Sequence, residues 1–552
     1  MMKKQLKLIA LFMAVLMLFA ACGGPDTESG KPESASSKED IVSEGSGDFS
    51  LPVVDEKITL SCWVPLGFKQ QTVMNSWDAI EGFQAIEEKT NIRIEWLHPP
   101  VGGETEQLNT MIAARNLPDI IHAAWDTISG GPGKMIADEI IIDIDGIVKE
   151  NAPNLLQYWE ENPELRPLTY TDEQECYGMP YYWPQAPGYL YHFGFVVRGD
   201  WLEKLGAKTP TDVDTWYQYL TAVRDGDPNG NGEKDEIPFA GKNPNGTLDD
   251  IMQFQRLYGI QPNAFFYREK NGEIVSAIHQ PAMKEWLATM AKWYAEGLID
   301  PEILSTDRTA LDSKVLTDTA GSLWSGAGTG QLGLYMKQKE NDGDETFSLD
   351  PVPIPTTADG ERLGWLKTMA SDASGITTAN PYPVETVRYF DYYFSREGHL
   401  FSQVGVEGKA YTLDGGKLDF TEYCTANPDG LSFDSALIQC GLAPMSFTGY
   451  QLADYWKYNI SFTPQAASSD EIWGDYTVNK ELSGLRFTSE ESNRVASIQN
   501  DIKALYQEVV SKIITGQMEA DQFDSFIQQA EGIGINELHE IYKAADERMK
   551  NR

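Results

Sequence analysis

Histidine, cysteine and basic charge are all scarce in this 552-residue chain. The six histidines (His98, His122, His192, His279, His399, His539) are scattered, which gives little support to a histidine-based mechanism. No P-loop, H-E-x-x-H, G-x-S-x-G or paired C-x-x-C is present, so the common nucleotide, metalloprotease, hydrolase and zinc signatures are missing. Lys and Arg number 44 against 83 Asp and Glu, a formal net charge of −39. That balance argues against nucleic acid and against docking on anionic lipid by charge, and favours a neutral or cationic ligand. Beyond the first 20 residues no run of about 18 apolar residues exists, so nothing there spans a bilayer as a helix.

The first 50 residues read as targeting and tether. Lys3, Lys4 and Lys7 precede an apolar run from Leu8 to Phe19, then Ala20-Ala21-Cys22-Gly23-Gly24. A basic start, a short apolar core and small residues describe a secretory signal over residues 1–21. The cysteine after two alanines resembles a bacterial lipoprotein cleavage site, with Cys22 as the lipidated N-terminus; Phe19 replaces the leucine usual at its place. Residues 22–50 are Gly, Ser, Pro, Glu, Asp and Lys with almost nothing apolar, a flexible linker. Cys62, Cys176, Cys424 and Cys440 remain, an even number that allows three disulfide pairings, with Cys424–Cys440 nearest in sequence. Buried free thiols are the alternative.

Strand and helix periods alternate after residue 50. Ile58, Leu60 and Cys62 alternate as in a strand, and Val73, Trp77, Ile80, Phe83 and Ile86 recur at helical spacing. Ile92, Ile94 and Trp96 then alternate again. Strand, helix, strand of this size is a βαβ unit, so an α/β lobe with a parallel sheet is predicted. A helix over 108–114 and a strand over 119–123 extend it. The aromatic, Pro- and Gly-rich stretch 181–197 lacks a helical period and carries the chain towards a second lobe. Near the C-terminus, Thr488-Ser489-Glu490-Glu491 is a capping-box pattern, and Ile502, Leu505, Val509 and Ile513 form one apolar face.

Residues 225–236 fit the D-x-[DN]-x-[DN]-G-x5-E calcium loop at every defined position. Asp225, Asp227 and Asn229 offer side-chain oxygens, Asn231 a carbonyl, Glu233 a direct or water-mediated ligand, and Glu236 a bidentate closure; Gly230 permits the turn. Apolar residues from Val213 to Val223 supply an entering helix. Ile237-Pro238 cannot start an exiting one, since the residue before proline is pushed towards extended geometry. The expectation is a structural Ca2+ clip rather than a sensor.

This block, R-x-D-W-L-x-K-L-G from Arg198 followed by D-P-N-G-N-G-x-x-D-E-I-P, resembles the extracellular solute-binding lipoproteins of Gram-positive ABC sugar importers. These are distant relatives of maltose-binding protein. Leu117-Pro118-Asp119-Ile120-Ile121, Tyr177-Gly178-Met179-Pro180-Tyr181 and Gly405-Val406-Glu407-Gly408-Lys409-Ala410-Tyr411-Thr412 match the same family in its order. The resemblance implies a two-lobed periplasmic-binding-protein-like fold of type II. Each lobe would be a sheet flanked by helices, with the ligand cleft between them. It assigns residues 51–185 and 372–428 to an N-terminal lobe, and 190–370 and 430–552 to a C-terminal lobe. It also implies a monomer, lipid-anchored outside the cell membrane, that hands a carbohydrate to an ABC permease.

Aromatic residues are the informative inventory: 14 Trp, 25 Tyr and 22 Phe. An indole face packs on the apolar face of a pyranose while Asp, Asn and Arg bond its hydroxyls. Trp77, Trp96, Trp201, Trp216, Trp286 and Trp293 sit on regular patterns and read as packing. Trp63, Trp125 with Asp126, Tyr181, Trp183, Trp324, Trp365 and Trp456 fall where strands end or lobes cross, where open α/β lobes bind ligands. These are the candidate cleft residues, each with core packing as its rival. Arg198 beside the crossing is a candidate for an acidic sugar, or for an ion pair. A peptide ligand, and a glycoside hydrolase needing only two placed carboxylates, are the alternative functions.

Overall fold

The computed structural model describes residues 50–550, apart from 72, 101, 184–192, 244–247, 329–330, 365–369, 430, 443–446, 462, 477, 480–481 and 483–484. The signal segment, Cys22, the linker up to residue 49 and Trp365 lie outside the described residues. Nine strands build the two principal sheets: β1 (Ile58–Trp63), β2 (Ile92–Leu97), β3 (Ile120–Ala123), β4 (Met179–Tyr182), β5 (Phe193–Arg198), β6 (Ser322–Gly326), β7 (Leu349–Pro351), β8 (Ala370–Ile376) and β9 (Gly449–Tyr450).

The alternation of Leu60 and Cys62 against Ile92 and Ile94 places these side chains in one buried layer. β1 and β2 pair in parallel from Ile58↔Ile92 to Trp63↔Leu97, and β3 joins β1 in parallel at Cys62↔Ile120. The helix Glu81–Thr90 between β1 and β2 buries Phe83 and Ile86 on the sheet, completing the βαβ unit. It starts later than the spacing predicts. Trp77–Ala79 is a separate 3-10 turn capped by Ser76, and Ile80 is extended before the helix begins. The sheet order is β9-β4-β8-β3-β1-β2, with β8 antiparallel to both β3 and β4. The first sheet is therefore mixed: its antiparallel member follows all three strands of the second sheet in the chain.

The second sheet is β6-β5-β7, all antiparallel. Its core holds Trp201, Trp216, Phe254, Trp286 and Trp293 together with Ile502, Val510 and Ile513 of the C-terminal helix Ser489–Ile514. Trp473, on the helix Pro464–Gly474, lies on β5 so closely that a Cβ at Gly194 would stand 2.2 Å from its indole.

Residues 433–442 and 447–450 lie on the first sheet's side. β9 pairs with β4, and the Gly82 N–H donates to the Cys440 carbonyl at 3.0 Å. The apolar residues Phe433, Leu437 and Cys440 pack with Val404 and Tyr455. Their character suits either lobe, so composition carries no boundary there. Cys62, Cys176, Cys424 and Cys440 are buried free thiols, so the Cys424–Cys440 bridge is not formed. Burial pushes the Cys440 thiol up to about 11. Among the described residues no helix is long and apolar enough to cross a membrane.

Candidate functional site: a cavity beyond β3 and an acidic loop

β3 ends at Ala123 and runs into a 3-10 turn, Trp125–Thr127. The Trp125 ring lies on Gly375 of β8, where a Cβ would stand 2.5 Å away, and its Nε1–H donates to the Ala373 carbonyl at 2.8 Å. Anchoring this ring inward turns the next side chain, Asp126, out towards Arg486. Arg486 meets it there, its Nη1 donating to Asp126 at 2.6 Å, while Nη2 donates to the Leu168 carbonyl. Arg486 stands just before the capping box of the long helix. The Thr488 hydroxyl accepts from the Glu491 N–H at 3.2 Å, and the Glu491 carboxylate accepts from the Thr488 N–H at 2.9 Å. Two further links join the same faces. Ser129 donates to Asn493 at 2.7 Å, and Arg548 donates to Asp172 at 3.0 Å and to Glu491 at 2.5 Å. Between them is a cavity of about 80 Å³ bordered by Asp126, Pro132, Gly133, Thr171, Asp172 and Arg486. It lies beyond the carboxyl end of β3, where a sheet of this kind receives its ligand.

The predicted aromatic residues divide by environment. Trp63 is 3% exposed and donates Nε1–H to Gln107 at 2.6 Å, in one cluster with Trp125 and Ile121. Trp125 presents no face to solvent. Tyr181 is fully buried, its hydroxyl bonded to Gln451, and Trp183 stands edge-on to it at 5.0 Å while keeping part of its surface open. Trp324, 8% exposed, packs edge-on against Phe195 at 5.0 Å, with the Arg256 guanidinium 5.8 Å from its ring. Trp456 is on the helix Ala453–Ile460; its side chain lies outside the described residues. Arg198 is consumed in the core: it makes two bonds to Asp200 and one to Asp318, each 2.9 Å, between the rings of Trp201 and Phe347. Sequence reasoning missed Arg486. Its signal was available, since it stands two residues before a capping box in a chain poor in basic residues.

The acidic loop follows the helix Val213–Asp225, which carries its own cap at Asp212. Gly230 and Gly232 take φ of +76° and +80°, a conformation that suits glycine. Asp227 accepts from the N–H groups of Gly230, Asn231 and Gly232 at 2.9–3.1 Å. Asp225 points elsewhere, held by two bonds from Arg224 at 2.8 and 2.9 Å. Asp235, absent from the predicted set, receives Nδ2–H groups of Asn229 at 3.2 Å and Asn231 at 3.0 Å. Both carboxylate oxygens of Glu236 are shielded from water, and the backbone N–H groups of Glu236 and Asn229 lie near them without closing a well-formed hydrogen bond. Burial raises its pKa, reinforced by the nearby charges of Asp235 and Asp227. Glu233 is exposed and gives its N–H to Asn231. Among the described residues no three His, Cys, Asp or Glu side chains stand grouped as a ready metal site. The shielded Glu236 carboxylate is nonetheless the group a bound cation would satisfy. Turning over the Asn229 and Asn231 amides would put oxygens where their nitrogens now face Asp235.

No protein-family model matches the chain. The fructooligosaccharide ABC transporter substrate-binding protein FusA of Streptococcus pneumoniae is 28% identical over 310 residues, 54% of each chain. The polygalacturonan/rhamnogalacturonan-binding protein YtcQ of Bacillus subtilis is 21% identical over 560 residues, 99% of each. Lipoprotein LipO of B. subtilis is 23% identical over 364 residues, 61% of this chain and 65% of LipO. The chain thus spans about half of FusA and 99% of YtcQ. Among solved structures, alginate-binding protein AlgQ2 without calcium ion superposes with a TM-score of 0.73 at 21% identity, covering 90% of this chain and 99% of AlgQ2. S. pneumoniae FusA in complex with kestose also gives 0.73, at 19% identity, covering 90% and 100%. The chain has the mixed α/β fold of the solute-binding proteins. It is a relative of the substrate-binding proteins of ABC carbohydrate transporters, and those relatives named for a role are binders, not enzymes.

Proposed function

We propose that this protein captures an oligosaccharide in the crevice between its lobes and delivers it to an ABC permease. The end-to-end alignment with YtcQ supports this reading, and the cavity beyond β3 is its proposed location. Asp126 and Arg486 supply an acceptor and a donor for sugar hydroxyls. Trp183, which keeps open surface, is the ring proposed to stack on the sugar, with Tyr181 behind it and Trp365 and Trp456 proposed beside it; Trp63 and Trp324 are buried and read as packing. Trp125 is better read as the anchor that presents Asp126. Ligand contacts to both lobes would favour the closed arrangement over an open one. A lipid on Cys22, joined through the linker, would hold the binding unit outside the cell membrane beside its permease.

The acidic loop is proposed to hold a structural Ca2+. Asp227, Asn229, Asn231, Asp235 and Glu236 are its side-chain ligands, with Glu233 at the rim and Asp225 outside the shell. A bound ion would neutralise carboxylates that otherwise repel one another and would stabilise the native loop. The test of the function is incubation of the pure protein with a mixture of oligosaccharides, scored for retention and for cleavage. Retention without cleavage is the expected result. Cleavage would make the protein a hydrolase, and indifference to every sugar alongside retention of peptides would make it a peptide carrier.

A further inference from the structure

The second sheet carries a column of aromatic side chains that opens to solvent at one end. Phe193, Phe195 and Val197 alternate onto one face of β5, and Gly326 and Trp324 of β6 stand opposite the first two. Phe195 is 1% exposed and Trp324 8%, so the inner pair is core. Phe193, at the start of the sheet's central strand, is 39% exposed. Its ring lies over Gly326, where a Cβ would stand 3.1 Å from Cε1. Gly326 is fixed in turn, its N–H donating to the buried Gln331 side chain at 2.8 Å. Two sets of contacts bring this end of the sheet towards the first one. Arg256, with its guanidinium 5.8 Å from the Trp324 ring, donates to the Leu363 carbonyl. From Gly364 only six residues lead to Ala370 of β8, a reach of about 20 Å at most. On the other flank, Gly328 has no room for a Cβ beside the Asn459 side chain. Asn459 donates to Tyr455 at 3.3 Å, and Tyr455 donates to Asp434, on the first sheet's side, at 3.0 Å. A partly open Phe on a surface means little alone. This one is seated on a glycine at the strand end nearest the first sheet, which sends Trp183 out beyond β4.

We infer that Phe193 is a second stacking ring for the oligosaccharide, so that the glycan meets one aromatic side chain from each sheet. The inference rests on the carbohydrate reading above. An aromatic face takes the C–H face of a sugar ring, and Phe, with no polar atom, asks for no hydroxyl at a set position. The test is a glycan array of neutral and acidic oligosaccharides probed with the wild-type protein. Calorimetry with the strongest binder then compares Phe193→Ala, Phe193→Leu and Phe193→Tyr, beside melting curves without ligand. Phe193→Ala should bind about tenfold or more weakly. Phe193→Leu restores apolar cover over Gly326 without a ring and should stay nearly as weak as Phe193→Ala. Phe193→Tyr keeps the ring and should bind within about threefold of wild type. If Phe193→Ala lowers the apo melting temperature, the Leu and Tyr variants, which keep the cover, decide between packing and ligand contact. A ring that serves only to cover Gly326 is replaced by leucine, so wild-type affinity in Phe193→Leu refutes the inference. Wild-type affinity in Phe193→Ala, or Phe193→Tyr as weak as Phe193→Ala, refutes it too, and each of these leaves the carbohydrate reading intact. A wild-type protein that binds no glycan overturns both.

Discussion

At the scale of single residues, burial separates rings that hold the fold from rings that can meet a ligand. Trp125 is sealed against Gly375, so Trp125→Ala opens a cavity and should cost roughly 3–5 kcal/mol of stability. Trp183 retains open surface, and Trp183→Ala should weaken oligosaccharide binding by about tenfold or more with a near-native apo melting temperature. Calorimetry beside melting curves checks both. If Trp183→Ala binds normally, or Trp125→Ala loses affinity with full stability, the division is wrong. The sequence placed Trp125 after a strand and Trp183 in the crossing between lobes. It could not tell inward from outward, because Trp125 and Asp126 are adjacent in one turn and only the glycine on β8 decides which faces the core.

At the scale of elements, the acidic loop and the helix Arg396–Gln403 each make a measurable claim. If the loop binds Ca2+, chelation should lower the melting temperature, and Asp235→Asn or Glu236→Gln should abolish that sensitivity. Asp225→Asn should leave it in place, since Asp225 is occupied by Arg224. Equal effects from all three variants would restore the register that the twelve-residue pattern predicts from Asp225. The pattern was legible as a loop with metal-type residues, but a regular expression does not see which carboxylate turns back to its own helix. On the helix, His399 is buried and stacked on Tyr450 at 3.7 Å, and burial drives its pKa down to about 3. The unfolded chain binds a proton there below about 6.5 and the native state does not, so acidification from neutral destabilises the fold. His122, lowered to about 4, acts in the same direction. Asp391, raised to about 7 by burial, opposes them, because its native state holds a proton that the unfolded chain has lost. His399→Phe should reduce the stability lost between pH 6.5 and 5.5 by about 1 kcal/mol, read from denaturant midpoints. An unchanged loss would mean that His399 is protonated in the folded protein.

At the scale of the whole molecule, the α/β character and the first βαβ unit were legible because periods of two and of 3.6 alternate cleanly from Ile58 to Ile94. The mixed order of the first sheet was not. β8 and β9 are brought in from far along the chain, and nothing in their short runs distinguishes them from strands of the other lobe. The cross-lobe contact of Asp126 with Arg486 was equally hidden, as it joins residues 360 apart in sequence. If Cys22 carries a lipid, the protein should sediment with membranes, and Cys22→Ser should release it or alter its processing; wild-type protein found wholly soluble outside cells would end that reading. The position of β8 has a consequence for biogenesis. It fills the gap between β3 and β4, so the earlier strands leave the ribosome, and any export channel, as the ribbon β3-β1-β2 and the lone strand β4. They can close into one sheet only after more than 180 further residues have emerged. Until then the backbone edges of β3 and β4 stay open to wrong partners, a long exposure for a chain that must fold beyond the reach of ATP-driven chaperones if it is exported.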